Sequence, residues 1–333
     1  MAGVTDSIFR RLCKEQGADV LTTEFVSAEG LLHRNERTRQ MVDFDAAVER
    51  PIGVQLFGAE PARLADAARA VIDWVQPDFI DLNFGCPVNK VVSKNGGSAL
   101  LKDCPLLESV ARAVVRACEP LGVPVTAKIR IGWDDQTINA PRVAKLLEEC
   151  GIARVAVHGR TKAQGYTGLA DWDVIAAVAD AVRIPVIGNG DIAGPPDVAL
   201  RRATTRIAGV MIGRAAMTTP WIFREIKHYL ASGELQPALP LAEVWAFIVR
   251  HARLAVAART SRPEASGRSS ERGTMHSLRA RLMAYSRGLP GGRNLRGEFA
   301  AVESLAQLDD IAAEHIVWTM SAAATAVLSG AAV

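Results

Sequence analysis

With 333 residues, 49% of them hydrophobic and 23% charged, the chain has an ordinary globular balance and enough apolar material for one large barrel or two domains. A net charge of +3 points to no partner by itself. Five widely spaced cysteines (Cys13, Cys86, Cys104, Cys118, Cys150) with no Cys-x-x-Cys pair exclude the usual zinc and iron–sulfur spacings and any disulfide framework.

No apolar run approaches the roughly 20 residues of a membrane span, and the N-terminus lacks a basic-then-apolar signal pattern. The expectation is a reduced, soluble, cytoplasmic monomer with no membrane contact. No His/Asp/Glu cluster has metal-ligand spacing, so no metal centre is expected.

The chain opens with Met1-Ala2-Gly3-Val4-Thr5-Asp6, a loop leading to a Thr or Asp cap and a helix from Ser7 to about Gln16. Strands are then predicted at Val20 to Phe25, Ile52 to Phe57, Phe79 to Asn83, Val123 to Ile129, Arg154 to His158, Pro185 to Asn189 and Gly209 to Gly213. Helical stretches such as Pro61 to Trp74, Leu106 to Cys118, Ala140 to Glu149 and Trp172 to Ala181 lie between them. Strands alternating with helices imply parallel βαβ units. Polar or special residues recur just past the strands: Glu24, Gln55, Asn83, Lys128, His158, Asn189 and Gly213. A (β/α)₈ TIM barrel collects its active-site groups at that carboxyl face. Only seven strands are visible, and the chain begins where a first strand would already have ended. The expected fold is thus a TIM-type α/β barrel lacking its first strand, with two open edges, unless the true start lies upstream or the gap closes in another way.

Cys86 lies on the loop after the third strand, in Ile80-Asp81-Leu82-Asn83-Phe84-Gly85-Cys86-Pro87. Free cysteines are usually buried and inert, but Gly85 and Pro87 break the strand here and display the thiol at the barrel mouth. Lys128, at the end of a strand with an otherwise apolar inward pattern, would aim a fixed positive charge into that mouth, suited to an anionic ligand or reduced cofactor. His158 ends the next strand, and its position alone raises it above a structural histidine. Asn189-Gly190-Asp191 and Gly213-Arg214 follow what would be barrel strands seven and eight. Loops there commonly bind phosphate through glycine N–H groups and a cation, and Gly190, Gly213 and Arg214 fit that role.

Beyond Pro237 and Pro240 the composition changes. From Leu241 to Ala300 there are eleven Arg, no Lys and four acidic residues, a local balance of +7. A basic helical appendage on a slightly acidic barrel is either a solvated face or a site for a polyanion, with RNA the plausible candidate. The predicted layout is a catalytic barrel over residues 1–235 and a helical domain over 241–320. Within the latter, Thr260 to Thr274 is a mobile loop, and a frayed tail follows from Ser321 to Val333.

Together these motifs resemble the tRNA-dihydrouridine synthases, closest to the bacterial DusB-like branch. The resemblance rests on Met1 to Asp6, Val54-Gln55-Leu56-Phe57-Gly58, Asp81 to Pro87, Gly97-Ser98-Ala99-Leu100-Leu101 and Lys128-Ile129-Arg130. It continues through Val157-His158-Gly159-Arg160-Thr161, Asn189-Gly190-Asp191, Met211-Ile212-Gly213-Arg214-Ala215 and Pro220-Trp221-Ile222-Phe223. It is dense to about Leu235 and thinner beyond. In the helical domain the family's Arg-Lys-His run reads Arg279-Ala280-Arg281, and Gly288-Leu289-Pro290-Gly291 returns to pattern.

The resemblance implies a barrel holding FMN tightly, NADPH as the reductant and tRNA as the substrate. Met1 and Ala2 would border the flavin, Gln55 and Lys128 would contact its ring system, and Gly190, Gly213 and Arg214 would hold its phosphate. His158, Asn189 and Asp191 complete the cofactor set. Asn83, Arg130 and His158 would line the pocket for a D-loop uracil, and Arg279, Arg281 and Arg287 would contact tRNA. Hydride would pass from reduced FMN to C6 of the uracil while Cys86 supplies a proton to C5, giving 5,6-dihydrouridine. Two rival readings fit the same residues: an FMN-dependent barrel oxidoreductase acting on a small molecule, and a non-catalytic barrel that binds RNA.

Overall fold

In the computed structural model, which describes residues 3–33, 36–260 and 270–328, the strands form one parallel sheet ordered β1-β3-β4-β5-β6-β7-β8. These are β1 (Leu21–Thr22), β2 (Val26–Ser27), β3 (Ile52–Phe57), β4 (Phe79–Phe84), β5 (Val125–Arg130), β6 (Arg154–His158), β7 (Val186–Asn189) and β8 (Gly209–Met211). β1 and β2 both pair with β3, Leu21 opposite Ile52 and Val26 opposite Leu56. They are two pieces of one interrupted strand, so the sheet has seven strand positions, as the sequence predicts, with β1/β2 and β8 as its edges. Among the described residues no ladder joins those edges, and the sheet is a curled parallel half-barrel flanked by helices.

The expected first strand, Val20 to Phe25, is thus corrected to two short segments. At the interruption Thr23 N–H reaches the Gly53 carbonyl at 2.9 Å, while the Thr23 hydroxyl accepts the Gln55 N–H at 3.2 Å. A side-chain oxygen stands where a strand carbonyl would be, and the ladder breaks.

The helices follow local signals. Asp6 accepts the Phe9 N–H at 2.9 Å and starts Ser7–Glu15. Glu60, Asp103 and Asp171 cap Pro61–Val75, Cys104–Cys118 and Trp172–Ala181 in the same way. Leu64, Ala68 and Val71 on one helix, and Leu107, Val110, Ala111 and Val114 on the next, recur at three- and four-residue spacing and are fully buried.

Strand alternation sorts the sheet into two faces. Ile80 and Leu82, Ala127 and Ile129, and Val155 and Val157 belong to one, all of them buried. Asp81 and Asn83, Thr126, Lys128 and Arg130, and Arg154 and His158 belong to the other. Along β5 the Lys128 face is therefore polar, Thr126, Lys128 and Arg130, and not apolar as expected, although Ala156 stands opposite Lys128 on the neighbouring strand. The apolar residues that suggested otherwise point the opposite way.

The chain divides into two compact units, one comprising Met1–Ala215 and Trp221–Glu234, the other Ala216–Pro220 and Leu235–Val333. The second unit contains helices Leu241–Thr260, Glu271–Tyr285, Gly292–Ala301 and Leu305–Leu328. Trp245, Ile248, Met275, Leu282, Phe299 and Leu308 form its core. Trp245 Nε1 donates to His315 Nδ1 at 3.0 Å, and His315 Nε2 meets the Pro290 carbonyl at 2.8 Å. That pairing fixes the imidazole with its proton on Nε2. Two sequence expectations change here. Of the predicted mobile loop, residues 261–269 lie outside the described residues, while Thr260 and Glu271 to Thr274 are helical because Ser270 caps the second helix through the Gly273 N–H. The predicted frayed tail is helical as far as Leu328. No described helix is long and apolar enough to cross a membrane.

Candidate active site

The carboxyl ends of β3 to β8 bring together most of the residues singled out in the sequence. Asn83 ends the polar face of β4 and builds the turn that follows it: its Oδ1 accepts the N–H of Gly85 at 3.1 Å and of Cys86 at 2.8 Å. The Cys86 carbonyl in turn accepts from Ser98 N at 3.0 Å and Ser98 Oγ at 2.9 Å. Gly97 makes this closure possible. It sits at φ +59°, and a Cβ there would lie 2.7 Å from the Cys86 carbonyl oxygen. The loop is therefore held from both sides, and Cys86 is 6% exposed. Burial raises its thiol pKa above the ordinary value, outweighing the Val88 backbone hydrogen bond and the charges of Arg130 and Lys128, which act the other way. At neutral pH the group is a protonated thiol, a proton store and not a nucleophile.

Lys128 is opposite Asn83 in the β4–β5 register. Burial, with the Arg130 charge beside it, lowers its pKa to about 8, and Asp81 and Cys86 only partly offset this. None of the described residues hydrogen-bonds its ammonium, which is available to a ligand. Arg130, by contrast, is committed. Its Nε donates to the Gly85 carbonyl at 3.1 Å, and its Nη1 donates to Thr161 at 2.6 Å and Gly165 at 2.9 Å. It ties the Cys86 turn to the loop after β6 and is 2% exposed. Its guanidinium also lies 5.9 Å from the ring of Tyr166, which is open to solvent.

His158 is buried at the end of β6. Desolvation first, then Lys128, Arg130, Arg160 and Arg214, lower its pKa to about 2. It is a neutral imidazole at any working pH. A neutral ring can accept or donate one hydrogen bond, but adds no charge to the site.

A second cluster occupies the β6–β8 end. Buried Arg160 donates through Nη2 to both oxygens of Asp191 at 2.7 and 2.8 Å and to the Gly168 carbonyl at 2.7 Å. Arg214 Nη2 reaches Asp191 Oδ1 at 2.9 Å, and Ala170 N–H reaches Asp191 Oδ2 at 2.7 Å. The Asp191 carboxyl accordingly titrates below its usual range, the Ala170 and arginine contacts outweighing a desolvation effect of opposite sign. Gly190 has φ +129°, and a Cβ on it would be 2.5 Å from the Ala170 Cβ and 3.2 Å from the His158 ring. Asn189 Nδ2 bridges to the Met211 carbonyl at 2.7 Å, joining the ends of β7 and β8. Arg214, about half exposed, is the solvent-facing cation of this group.

Gln55 is buried and joins Asn83 to Asp81. Met1 and Ala2 lie outside the described residues. The arginines expected to contact tRNA do not share one surface. Arg281 is 8% exposed, and Arg279 is half-buried with its guanidinium on the Val302 carbonyl at 3.1 to 3.3 Å. Two positions apart on one helix, they point about 160° away from each other. Arg287 is exposed. Four residues that matter here drew no role from the sequence: Asp81, Ser98, Thr126 and Arg160. Asp81 is two positions before Asn83 in a strand, and that spacing alone places both on one face.

A model of the family described as "Dihydrouridine synthase (Dus)" matches residues 1–321. The chain is 46% identical over 251 residues to tRNA-dihydrouridine synthase B of Pseudomonas aeruginosa, covering 75% of this chain and 74% of that one. It is 41% identical over 303 residues to the Pseudomonas putida protein of the same name, covering 91% and 86%. With the Escherichia coli protein of that name it shares 44% over 254 residues, covering 76% and 77%. Among solved structures, histamine dehydrogenase from Rhizobium sp. 4-9 aligns over 67% of this chain and 43% of that one, with a TM-score of 0.48 and 13% identity.

Proposed function

The chain belongs to the dihydrouridine synthase family of oxidoreductases, and on that premise we propose that it reduces the C5=C6 bond of a D-loop uridine in tRNA, with FMN as cofactor and NADPH as reductant. The observation that carries the reading is the Cys86 thiol, kept protonated on a loop tied by Asn83 and Ser98 and next to the uncommitted Lys128.

The residues present fit a flavin. Lys128 offers a half-buried ammonium with no hydrogen-bond partner among the described residues, suited to an electron-rich ring edge. Gly190 lets the turn after β7 pack against Ala170 and the His158 ring, where a Cβ would not fit, and with Gly213 and the Asp191-bound Arg214 it is proposed to hold the phosphate. A phosphate there would be repelled by an isolated carboxylate, so Asp191 serves by orienting Arg214. Two arginines on one aspartate leave the cluster net positive. Gln55 would meet the ring system, and Asn189 and His158 would border it. Met1 and Ala2 remain in the proposed cofactor set on the family pattern alone.

When bound, reduced flavin supplies the hydride. The protein's part is placement and the proton. Asn83, Arg130 and His158 line the pocket for the uracil, which must leave its stack in the tRNA to enter. The carbanion character that develops at C5 is quenched by the Cys86 Sγ–H: the S–H bond breaks, a C–H bond forms, and a thiolate remains to be reprotonated from solvent. A raised thiol pKa keeps the proton in place until the base is present, while Lys128 and Arg130 stabilise the thiolate afterwards.

The test is mapping of dihydrouridine by primer extension on tRNA from a strain lacking the gene. Loss of one D-loop dihydrouridine, restored by the parent gene, is expected. An unchanged pattern would favour a small-molecule substrate. The exposed arginines of the second unit, Arg287 above all, are the proposed tRNA contacts, with Arg279 and Arg281 supporting them from within the helix.

A further inference from the structure

Asp81 has no part in the proton transfer above, yet it is buried on the polar face of the sheet at 4% exposure. Each of its oxygens is engaged. Oδ1 accepts from the Thr126 hydroxyl at 2.5 Å and Oδ2 from Gln55 Nε2 at 2.6 Å. Gln55 Oε1 then accepts from Asn83 Nδ2 at 2.7 Å. Asn83 Oδ1, as described, takes the two N–H groups of the Cys86 turn. The strand register makes this chain possible, because Gln55 is opposite Asp81 and Asp81 is opposite Thr126.

We propose that Asp81 is a positioning residue of the reaction, setting the direction of the Gln55–Asn83 hydrogen-bond chain and so holding the Cys86 turn in its thiol-presenting form.

A side-chain amide has a donor end and an acceptor end, and turning it over changes its chemistry with almost no change of shape. Two amides in series can therefore run in either direction, and the group at the end of the chain decides which. A carboxylate only accepts. Gln55 must turn its NH₂ to Asp81, which leaves its oxygen for Asn83. Asn83 must then give its NH₂ to Gln55 and keep its oxygen for Gly85 and Cys86. In the reverse direction the Asn83 NH₂ would face two backbone N–H groups, and the turn would lose both anchors. Burial is the largest effect and raises the Asp81 pKa above its ordinary value, while the Thr126 and Gln55 hydrogen bonds and the charges of Arg154 and Lys128 offset it only in part. The acceptor role therefore rests on geometry: each of its two oxygens has a donor aimed at it, Thr126 on one side and Gln55 on the other.

The role in catalysis rests on the proposed function, whereas the effect on the turn does not, and the experiment separates them. In the flavin-loaded enzyme, Asp81→Asn supplies a donor where the chain needs an acceptor and lets both amides turn over. The alkylation rate of Cys86 by iodoacetamide, read by peptide mass spectrometry, should rise several-fold at unchanged flavin content. Single-turnover reduction of tRNA should slow by about 10-fold, roughly one hydrogen bond's worth of ordering, while flavin reduction by NADPH keeps its parent rate. Because Asp81 acts through Asn83, Asp81→Asn/Asn83→Ala should be no slower than Asn83→Ala alone. Parent alkylation and turnover rates in Asp81→Asn, or multiplying effects in the double variant, would overturn the proposal. If Asp81→Asn does not fold, Gln55→Met cuts the same chain at its middle. It should give the same rise in alkylation with Asp81 still present, and a parent rate there would equally refute the idea. A rise in alkylation in an enzyme whose parent form leaves tRNA unreduced would sink the functional reading and spare the positioning role.

Discussion

The two ends of the sheet solve different problems with different chemistry. At β3–β5 the site is a buried chain of short, mostly neutral hydrogen bonds ending in one carboxylate. At β6–β8 it is an ionic cluster, Arg160–Asp191–Arg214, open to water on one side. Neutral bonds in a dry setting have little sensitivity to salt and strong directionality, which suits the placement of a thiol to within a fraction of an ångström. Partly exposed charges tolerate small shifts and attract an anion from a distance, which suits the capture of a phosphate. One end orients and the other collects.

The sharpest test of the orienting end is Cys86→Ala. Flavin content and flavin reduction should be unchanged, while tRNA reduction falls by ~10²–10⁴-fold, the usual contribution of a positioned general acid. Stopped-flow oxidation of the reduced enzyme by tRNA measures it, and parental speed would remove Cys86 from the mechanism.

At the collecting end, Arg214→Ala should weaken flavin binding by roughly 10–100-fold, the worth of a charge-assisted hydrogen bond. Fluorescence titration at increasing salt should show the parent losing affinity with ionic strength and the variant losing less. Salt-independent binding in the parent would contradict the division drawn above.

Lys128 lies between the two ends and can be isolated by pH. Its folded pKa, about 8, is below the ordinary lysine value of 10.5. Between those limits the unfolded chain binds a proton that the folded one does not, so stability rises with pH through this window and the penalty is fully present below it. Flavin-free protein should gain on the order of 1–3 kcal/mol from pH 8 to 10.5 relative to Lys128→Met. Urea melts across that range check the sign, and parallel curves would show that the ammonium is well solvated.

The smallest effect belongs to the second unit. Arg287→Ala should reduce the log–log salt slope of tRNA binding by about 0.7 to 0.9, one phosphate's share. Arg281→Met should leave the slope alone and lower the melting temperature, because that side chain is buried. If Arg281→Met changed the slope and Arg287→Ala did not, the exposed surface would have been assigned wrongly.

Much of this was legible in the residues themselves. The predicted strands located β3, β6 and β7 to within a residue, and helices Ala140–Glu149 and Trp172–Ala181 matched their predicted limits. These signals are local: alternation, an Asp cap, a Pro or Gly stop. The Asn83-Phe84-Gly85-Cys86-Pro87 turn and the Gly190 corner could be picked out because each needs a particular residue at a particular backbone angle. Three things could not be read from the chain in one dimension. One was the break between β1 and β2, caused by a hydroxyl meeting a strand 32 residues away. Another was the burial of Arg281, which only helix packing decides. The last was the state of the titrating groups: nothing in a lone His158 or Lys128 foretells a pKa near 2 or 8, because those shifts come from desolvation and from charges on neighbouring strands. The order of residues determined which groups reach the mouth of the sheet. Register across strands, which joins Gln55, Asp81 and Thr126 over 71 positions of chain, decided what those groups do to one another, because hydrogen-bond direction and dielectric are properties of neighbours in space.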